Sequence, residues 1–195
     1  MGLDISTSII GVCFLTRNTS KLIHLNCIKL TSTKFTDLWE KVDFAKVELE
    51  KLCQEVLNPH HSVNYPVYRT FSRIFVEENA KRFSPGFSSA DTILTLAKMN
   101  GIMSYLARNI ANAPVIDVNV TSARSKLGLK IDRTDKSKTV KEKVFEKNVL
   151  LHPEFPWPQH LAKTGKHIGQ VVYNVEARDM SDAYVICAGG KIIHA

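Results

Sequence analysis

Short apolar runs separated by polar breaks fill the first thirty residues, a pattern that favours strands over helices. We predict strands at 2–6, 9–17 and 22–30, with a tight turn between the first two. Three short strands in succession predict an antiparallel meander. Asp4 departs from the pattern, because an ionised carboxylate inside an apolar run is costly unless a cation or several hydrogen bonds satisfy it.

From residue 37 the apolar positions recur every three or four residues, which predicts a long amphipathic helix over 37–56. The later pattern predicts strands at 69–78 and 113–120, helices at 90–109, 137–148 and 176–190, and an irregular stretch at 152–170. The antiparallel start followed by alternating elements predicts an α/β fold, with a mixed five-stranded sheet and helices on both faces.

Small residues characterise two of these helices. Ala97, Gly101 and Ser104 occupy the middle of the helix before the fifth strand, so we predict close packing there. Gly189 and Gly190 follow the apolar positions of the last helix. Because glycine commonly ends helices, we expect the last helix to stop at this pair.

Length and composition are those of one ordinary globular domain, predicted to span 1–195. The chain has 195 residues, 44% of them hydrophobic, and no apolar run approaches the roughly 20 residues of a membrane-spanning helix. The four cysteines lack the spacing of a zinc site, so we expect them to be reduced. Because the chain begins directly with a strand, we expect no signal peptide and no membrane partner. An intracellular location is predicted: cytoplasm, nucleoid, organelle matrix or a viral replication site.

Positive charge is concentrated in one segment. The formal net charge is +7, and nine lysines and arginines against four acidic residues lie between residues 121 and 147. A solvated helix face is one explanation for such a run. A one-signed excess in a basic protein favours a polyanionic partner instead, usually nucleic acid.

Four acidic residues stand out by position: Asp4 within the first strand, Glu77 at the end of the fourth, and Asp179 and Asp182 one turn apart on the last helix. Each alone has a structural explanation, as a turn cap, a solvated strand end or acids favoured in the first turn of a helix. Gathered in one cleft, they would need cations to neutralise them, and oxygen ligands select Mg²⁺ or Mn²⁺. Two such ions suit in-line phosphoryl displacement.

The motifs, taken in order, resemble the RuvC-like Holliday junction resolvases, a branch of the ribonuclease H-like superfamily, in the compact form of viruses, phages and organelles. GLDISTSIIGVCFL resembles the first hairpin of that family, IFVEEN its fourth-strand glutamate, and DMSDAYVICAGG its C-terminal helix with a D-x-x-D pair. The helix around Gly101 and the basic segment SKLGLK…DKSKTVKEKV are similar as well. The resemblance covers about residues 2–190 and implies a ribonuclease H-like fold.

This resemblance implies a structure-specific endonuclease with two Mg²⁺ or Mn²⁺ ions and no small-molecule cofactor. It would cut four-way DNA junctions by paired symmetric nicks, leaving 5′-phosphate and 3′-hydroxyl ends, as a homodimer whose symmetry matches its substrate. Glu78 is the alternative to Glu77 as a ligand. The implied metal ligands and catalytic residues are Asp4, Glu77, Asp179 and Asp182, with Lys136 as a further catalytic residue.

The resemblance also implies DNA contacts around this site. Phe83, in the loop after the glutamate, is expected to stack on bases at the branch point, with a core-filling role as the alternative. The expected contacts to DNA are Lys81, Arg82, Phe83, Arg124, Lys126, Lys130, Arg133 and Lys138. The stretch at about 150–175 is longer than the family pattern and is predicted to be an insertion serving dimerisation or DNA contact.

Three other functions fit part of the pattern. The same chemistry serves a nuclease that cuts forks or flaps with little junction preference. A catalytically inert junction-binding protein would have no reason to keep all four acids. An actin-like ATPase or sugar kinase shares an acidic first hairpin, but 195 residues leave no room for its second phosphate loop.

Overall fold

Five strands form the central sheet of the structure, a computed structural model that describes residues 1–31, 35–57, 70–78, 89–129, 131, 134, 137–155, 157–165 and 168–195. They are β1 (Gly2–Ile5), β2 (Ile9–Leu15), β3 (Leu22–Lys29), β4 (Ile74–Glu77) and β5 (Val115–Val118). Their order is β3-β2-β1-β4-β5. β1, β2 and β3 pair antiparallel, whereas β4 is parallel to both β1 and β5. The predicted mixed sheet with an antiparallel start is confirmed.

Helices cover both faces of this sheet, as the sequence predicted. α1 (Leu38–Leu57) and α2 (Ala90–Ala111) share one apolar core with one face of the sheet. The other face packs with α3 (Val120–Lys126), α4 (Val140–Leu151) and α5 (Glu176–Ile193). Among the described residues, none of the helices is long and apolar enough to cross a membrane.

Alternation along β1 and β2 separates large from small side chains. Leu3 and Ile10 are fully buried in the core beneath α1 and α2. On the opposite face Gly2 and Gly11 let α5 approach closely, and Asp4 pairs with Gly11 across the two strands. The period of two therefore places Asp4 on the face that α5 covers.

The prediction that Gly189 and Gly190 end the last helix is wrong, because α5 continues to Ile193. Both glycines lie inside the helix and permit close packing. A Cβ added at Gly189 would lie 2.5 Å from the Ala123 Cβ, and one at Gly190 would lie 2.7 Å from a ring carbon of Phe75. Contact with α3 and the sheet, rather than helix termination, explains the pair.

The close packing predicted around Gly101 is also absent from the described part of the chain. No described atom outside its own helix and neighbours lies within 4 Å of a Cβ added at Gly101. Gly101 is exposed on α2, so the surface there is open.

Two short features of the fold were not predicted. The stretch expected to be irregular contains β6 (Gln159–Leu161), which pairs antiparallel with β7 (Val171–Tyr173). The helix α3 directly follows β5, where the sequence analysis assigned only a strand and basic residues. Each of these elements has no more than seven residues, too short for a periodic pattern to stand out.

Candidate active site

Two acidic residues meet at the carboxyl ends of neighbouring parallel strands. β1 and β4 pair with Leu3 opposite Val76, so the next residues, Asp4 and Glu77, lie side by side on the face covered by α5. The buried Asn100 on α2 donates a hydrogen bond from Nδ2 to the Glu77 carbonyl oxygen at 3.1 Å. The sheet and α2 thus fix the end of β4.

α5 brings the other two carboxylates to the same place. A Cβ added at Gly11 would lie only 2.3 Å from the Asp179 carbonyl oxygen, so the helix backbone lies directly against β2. Because Gly11 is the partner of Asp4, this approach places Asp179 and Asp182 above Asp4. The side chains of these three aspartates are between 8% and 13% exposed. The structure therefore brings all four predicted acids together.

Two basic side chains neutralise part of this negative charge. The Lys141 Nζ lies 2.6 Å from Asp179 Oδ1, 3.2 Å from Asp182 Oδ2 and 3.7 Å from Asp4 Oδ2. Arg124 approaches from α3, with its Nη2 3.2 Å from Asp182 Oδ1. Both residues lie in the positively charged range 121–147.

Burial and crowding shift the pKa values at the centre of the cluster. Burial raises the pKa of Asp4 well above its usual range, and the Asp182 carboxylate raises it further against the lowering effect of Lys141. Burial and Asp182 also raise the pKa of Glu77, although a hydrogen bond with Asp4 lowers it in part. Burial alone would lower the pKa of Lys141, but the surrounding carboxylates raise it on balance. The carboxylates repel one another strongly enough to need a cation.

The donor set of the cluster suits a hard divalent cation. Four carboxylates on rigid elements supply the oxygen ligands that Mg²⁺ and Mn²⁺ prefer. Within the described ranges, however, no group of three or more histidine, cysteine, aspartate or glutamate side chains is arranged to hold a metal ion. The Lys141 ammonium lies among three of the four acids instead.

Known proteins share this architecture although they share little sequence. The sequence matches no protein-family model and no curated protein. Two solved structures of Thermus thermophilus RuvC, one in complex with Holliday junction substrate, each match 99% of this chain with a TM-score of 0.56. The chain has the fold of RuvC. The matches cover 92% and 95% of the RuvC chains at 13% identity.

A third match is the yeast mitochondrial Holliday junction resolvase Ydc2. It is 17% identical, and the alignment covers 99% of this chain and 79% of Ydc2 with a TM-score of 0.49. At 13% identity, the likeness to RuvC establishes the architecture, and with the strand order it confirms the predicted ribonuclease H-like sheet.

The predicted DNA contacts divide into described and undescribed residues. Arg124 lies beside Asp182, whereas Lys126 is exposed at the end of α3. Lys138 lies just before α4, 2.6 Å from Glu146 Oε1. The other predicted residues lie outside the described residues: Lys81, Arg82, Phe83, Lys130, Arg133 and Lys136.

Glu78 occupies a different environment from Glu77. It follows β4, and its Oε2 accepts a hydrogen bond from Asn119 Nδ2 at 3.4 Å. The electrostatic and hydrogen-bond interactions of Glu77 with Asp4 and Asp182 place Glu77 in the carboxylate cluster. The geometry thus favours Glu77 as the fourth acid.

Sequence analysis missed Lys141, and one local signal could have found it. Thr139 and Glu142 form a capping box at the start of α4, the S/T-x-x-E pattern that marks a helix N-terminus. Lys141 therefore lies in the first helical turn, where the helix dipole disfavours a cation. Such a local conflict is typical of functional positions.

Proposed function

We propose that this protein is a metal-dependent endonuclease that resolves four-way DNA junctions. The observation that carries the proposal is the cluster of Asp4, Glu77, Asp179 and Asp182 in a fold shared with RuvC. Replacing buried charged groups with apolar residues is often neutral or stabilising. A purely structural role therefore does not explain why four acids lie at one point. Phosphoryl transfer assisted by divalent cations does explain it, because the acids would bind the cations.

In this proposal, the four carboxylates would hold two Mg²⁺ or Mn²⁺ ions. When bound, the ions would activate a water and stabilise the leaving 3′ oxygen, giving 5′-phosphate and 3′-hydroxyl ends. Asp4 and Glu77 keep fixed positions because they belong to the sheet. Asp179 and Asp182 keep theirs because α5 packs against Gly11.

Arg124 and the exposed lysines would bind the DNA backbone. The Arg124 side chain is 19% exposed beside Asp182, and its guanidinium would bind a backbone phosphate at this edge of the cluster. Lys126 and Lys138 would contact phosphates further from the acids. We assign the same role to Lys81, Arg82, Lys130 and Arg133, base stacking to Phe83 and a role near the reacting phosphate to Lys136.

We further propose that the protein acts inside the cell as a homodimer. Resolution of a four-way junction requires cuts at two symmetric places, and a two-fold dimer would place one active site at each. The segment at 150–175, with its β6–β7 hairpin, would contribute to dimerisation or DNA contact. Paired symmetric nicks would then follow from paired sites.

The test is cleavage of a labelled four-way junction beside a linear duplex of the same sequence, with Mg²⁺ or Mn²⁺. Asp4→Asn removes one charge from the cluster with little change in shape. Asp117→Asn, at an exposed position on β5, is the matched control. We expect paired nicks in the junction from the wild type and Asp117→Asn, and none from Asp4→Asn.

Results that differ from this expectation would indicate another function. Cleavage of forks and flaps as fast as junctions would indicate a branched-DNA nuclease with little junction preference. Tight junction binding without nicks, in every metal tested, would indicate an inert junction-binding protein. Full activity of Asp4→Asn would refute the assignment of the carboxylate cluster as the active site.

A further inference from the structure

The Lys141 ammonium lies among three carboxylates of the cluster. It is within 4 Å of one oxygen from each of Asp4, Asp179 and Asp182, and the shortest distance is 2.6 Å to Asp179 Oδ1. Three carboxylates from a strand and a helix thus converge on one cation supplied by a third element, α4. An ammonium group is thus the cation that these three carboxylates surround.

Two interactions at the start of α4 hold Lys141 in this position. The capping box joins the Thr139 hydroxyl to the Glu142 backbone amide and the Glu142 carboxylate to the Thr139 amide, which fixes the first turn. Glu142 Oε1 also lies 3.1 Å from Arg178 Nη2, directly before Asp179 on α5. The first turn of α4 is therefore tied to the helix that carries two of the acids.

A buried hydrogen bond fixes the same pair of helices two turns further on. Asn148 Nδ2 donates to Ser181 Oγ at 2.8 Å, and both residues have no exposed surface. Because α4 and α5 are joined at both positions, the backbone of Lys141 is fixed relative to the acids. Only its side chain, 40% exposed, is free to leave them.

An ammonium group and a divalent ion cannot both occupy this position. A Mg²⁺ ion binds carboxylate oxygens directly at about 2.0–2.1 Å, so it needs the space that the Nζ and its hydrogens fill. Two cations so close would also repel each other strongly. The carboxylates must exchange one cation for the other.

We propose that Lys141 is a built-in counter-ion that keeps the carboxylate cluster neutralised in the metal-free protein and is displaced when a divalent ion binds. This inference rests on the metal site of the proposed function. Lys141 would not contact the substrate. It would act as a positioning residue, because its ammonium binds the carboxylates and competes with the metal ion for them. This role explains why the described acids cluster tightly and yet do not form a metal-binding arrangement.

The test is Mn²⁺ binding, measured by isothermal titration calorimetry on the full chain without DNA. Lys141→Met removes the charge and keeps the length of the side chain. Because the metal no longer has to displace a cation, we expect Lys141→Met to bind Mn²⁺ about tenfold more tightly or better. Lys51→Met, which removes an exposed lysine paired with Glu48 on α1, is the matched control and should bind as the wild type does.

A second measurement follows the response of the wild type to metal and uses variants only to assign one signal. The ammonium nitrogen of an ion-paired lysine gives a protected NMR signal, and the signal of Lys141 is the one that Lys141→Met or Lys141→Gln lacks. Addition of Mg²⁺ should remove or strongly shift this signal. The signals of the other lysines should stay in place.

The outcomes separate this inference from the proposed function. Equal or weaker Mn²⁺ binding by Lys141→Met, or an ammonium signal that Mg²⁺ leaves unchanged, overturns the counter-ion role even if the junction is cleaved. Tighter binding with a displaced ammonium supports it even if no DNA is cut. No Mn²⁺ binding by any variant overturns both the counter-ion role and the metal site.

Discussion

Gly11→Ala tests whether the close approach of α5 to β2 sets the geometry of the candidate active site. The added Cβ would lie 2.3 Å from the Asp179 carbonyl oxygen and 3.0 Å from the Ala183 Cβ, whereas ordinary contacts begin near 3.4 Å. The carbonyl belongs to the helix backbone and cannot rotate away. We therefore expect α5 to move from β2 by about 1 Å at this point.

The displacement should reduce both stability and activity. Overpacking of this kind costs about 1–3 kcal/mol, which corresponds to a fall in Tm of roughly 2–12 °C for a chain of this length. Asp179 is itself the contacted residue, so its carboxylate should move with the helix. A misplacement of about 1 Å can reduce the rate by about 100-fold.

Thermal unfolding and junction cleavage at saturating enzyme measure the two effects. Gly101→Ala is the matched control, because a Cβ at Gly101 meets no described atom within 4 Å. Alanine in place of an exposed helical glycine should raise stability by about 0.5–1 kcal/mol and leave the rate unchanged. A Gly11→Ala protein with wild-type Tm and rate would refute the packing argument. Lower Tm with a normal rate would show that the displacement does not reach the Asp179 carboxylate.

Four further predictions concern stability. Asp4→Asn should stabilise the metal-free protein by about 1–3 kcal/mol, because it relieves repulsion among buried carboxylates; a lower Tm in chelator would contradict this. The raised pKa values of Asp4 and Glu77 mean that their contribution to stability is present at acidic pH and lost as pH rises through the raised values. Denaturant titrations at several pH values should therefore show that Asp4→Asn exceeds the wild type in free energy of unfolding by more as the pH approaches neutral. A difference that does not change with pH would contradict the raised pKa of Asp4. Asn148→Ala should lower the free energy of unfolding in denaturant by about 1–3 kcal/mol, because the Ser181 hydroxyl loses its buried partner. A change within error would show that this hydroxyl forms another hydrogen bond. Thr139→Ala should cost about 1 kcal/mol in denaturant unfolding through the lost cap of α4, and Thr95→Ala, at an exposed position within α2, is its control.

The elements and their buried faces followed from local patterns in the sequence. The apolar runs placed Asp4 within the first strand and Glu77 at the end of the fourth, and the spacing of Asp179 and Asp182 placed both on one side of a helix. Such periods are readable because strand pleating and helical turns come from the local geometry of the backbone. The type and order of the long elements were predictable for the same reason.

Distances between elements were decided only by tertiary packing. Gly189 and Gly190 looked like a helix end, but contact of α5 with Ala123 and the sheet overrides that local signal. The Lys141 ammonium reaches the acids because the capping of α4 and its contacts with α5 orient it. Nothing in a linear pattern encodes these separations, because each depends on side chains that are remote in sequence. The sequence by itself thus determined which element carries each carboxylate, and the tertiary structure decided that the four meet and that Lys141 lies among them.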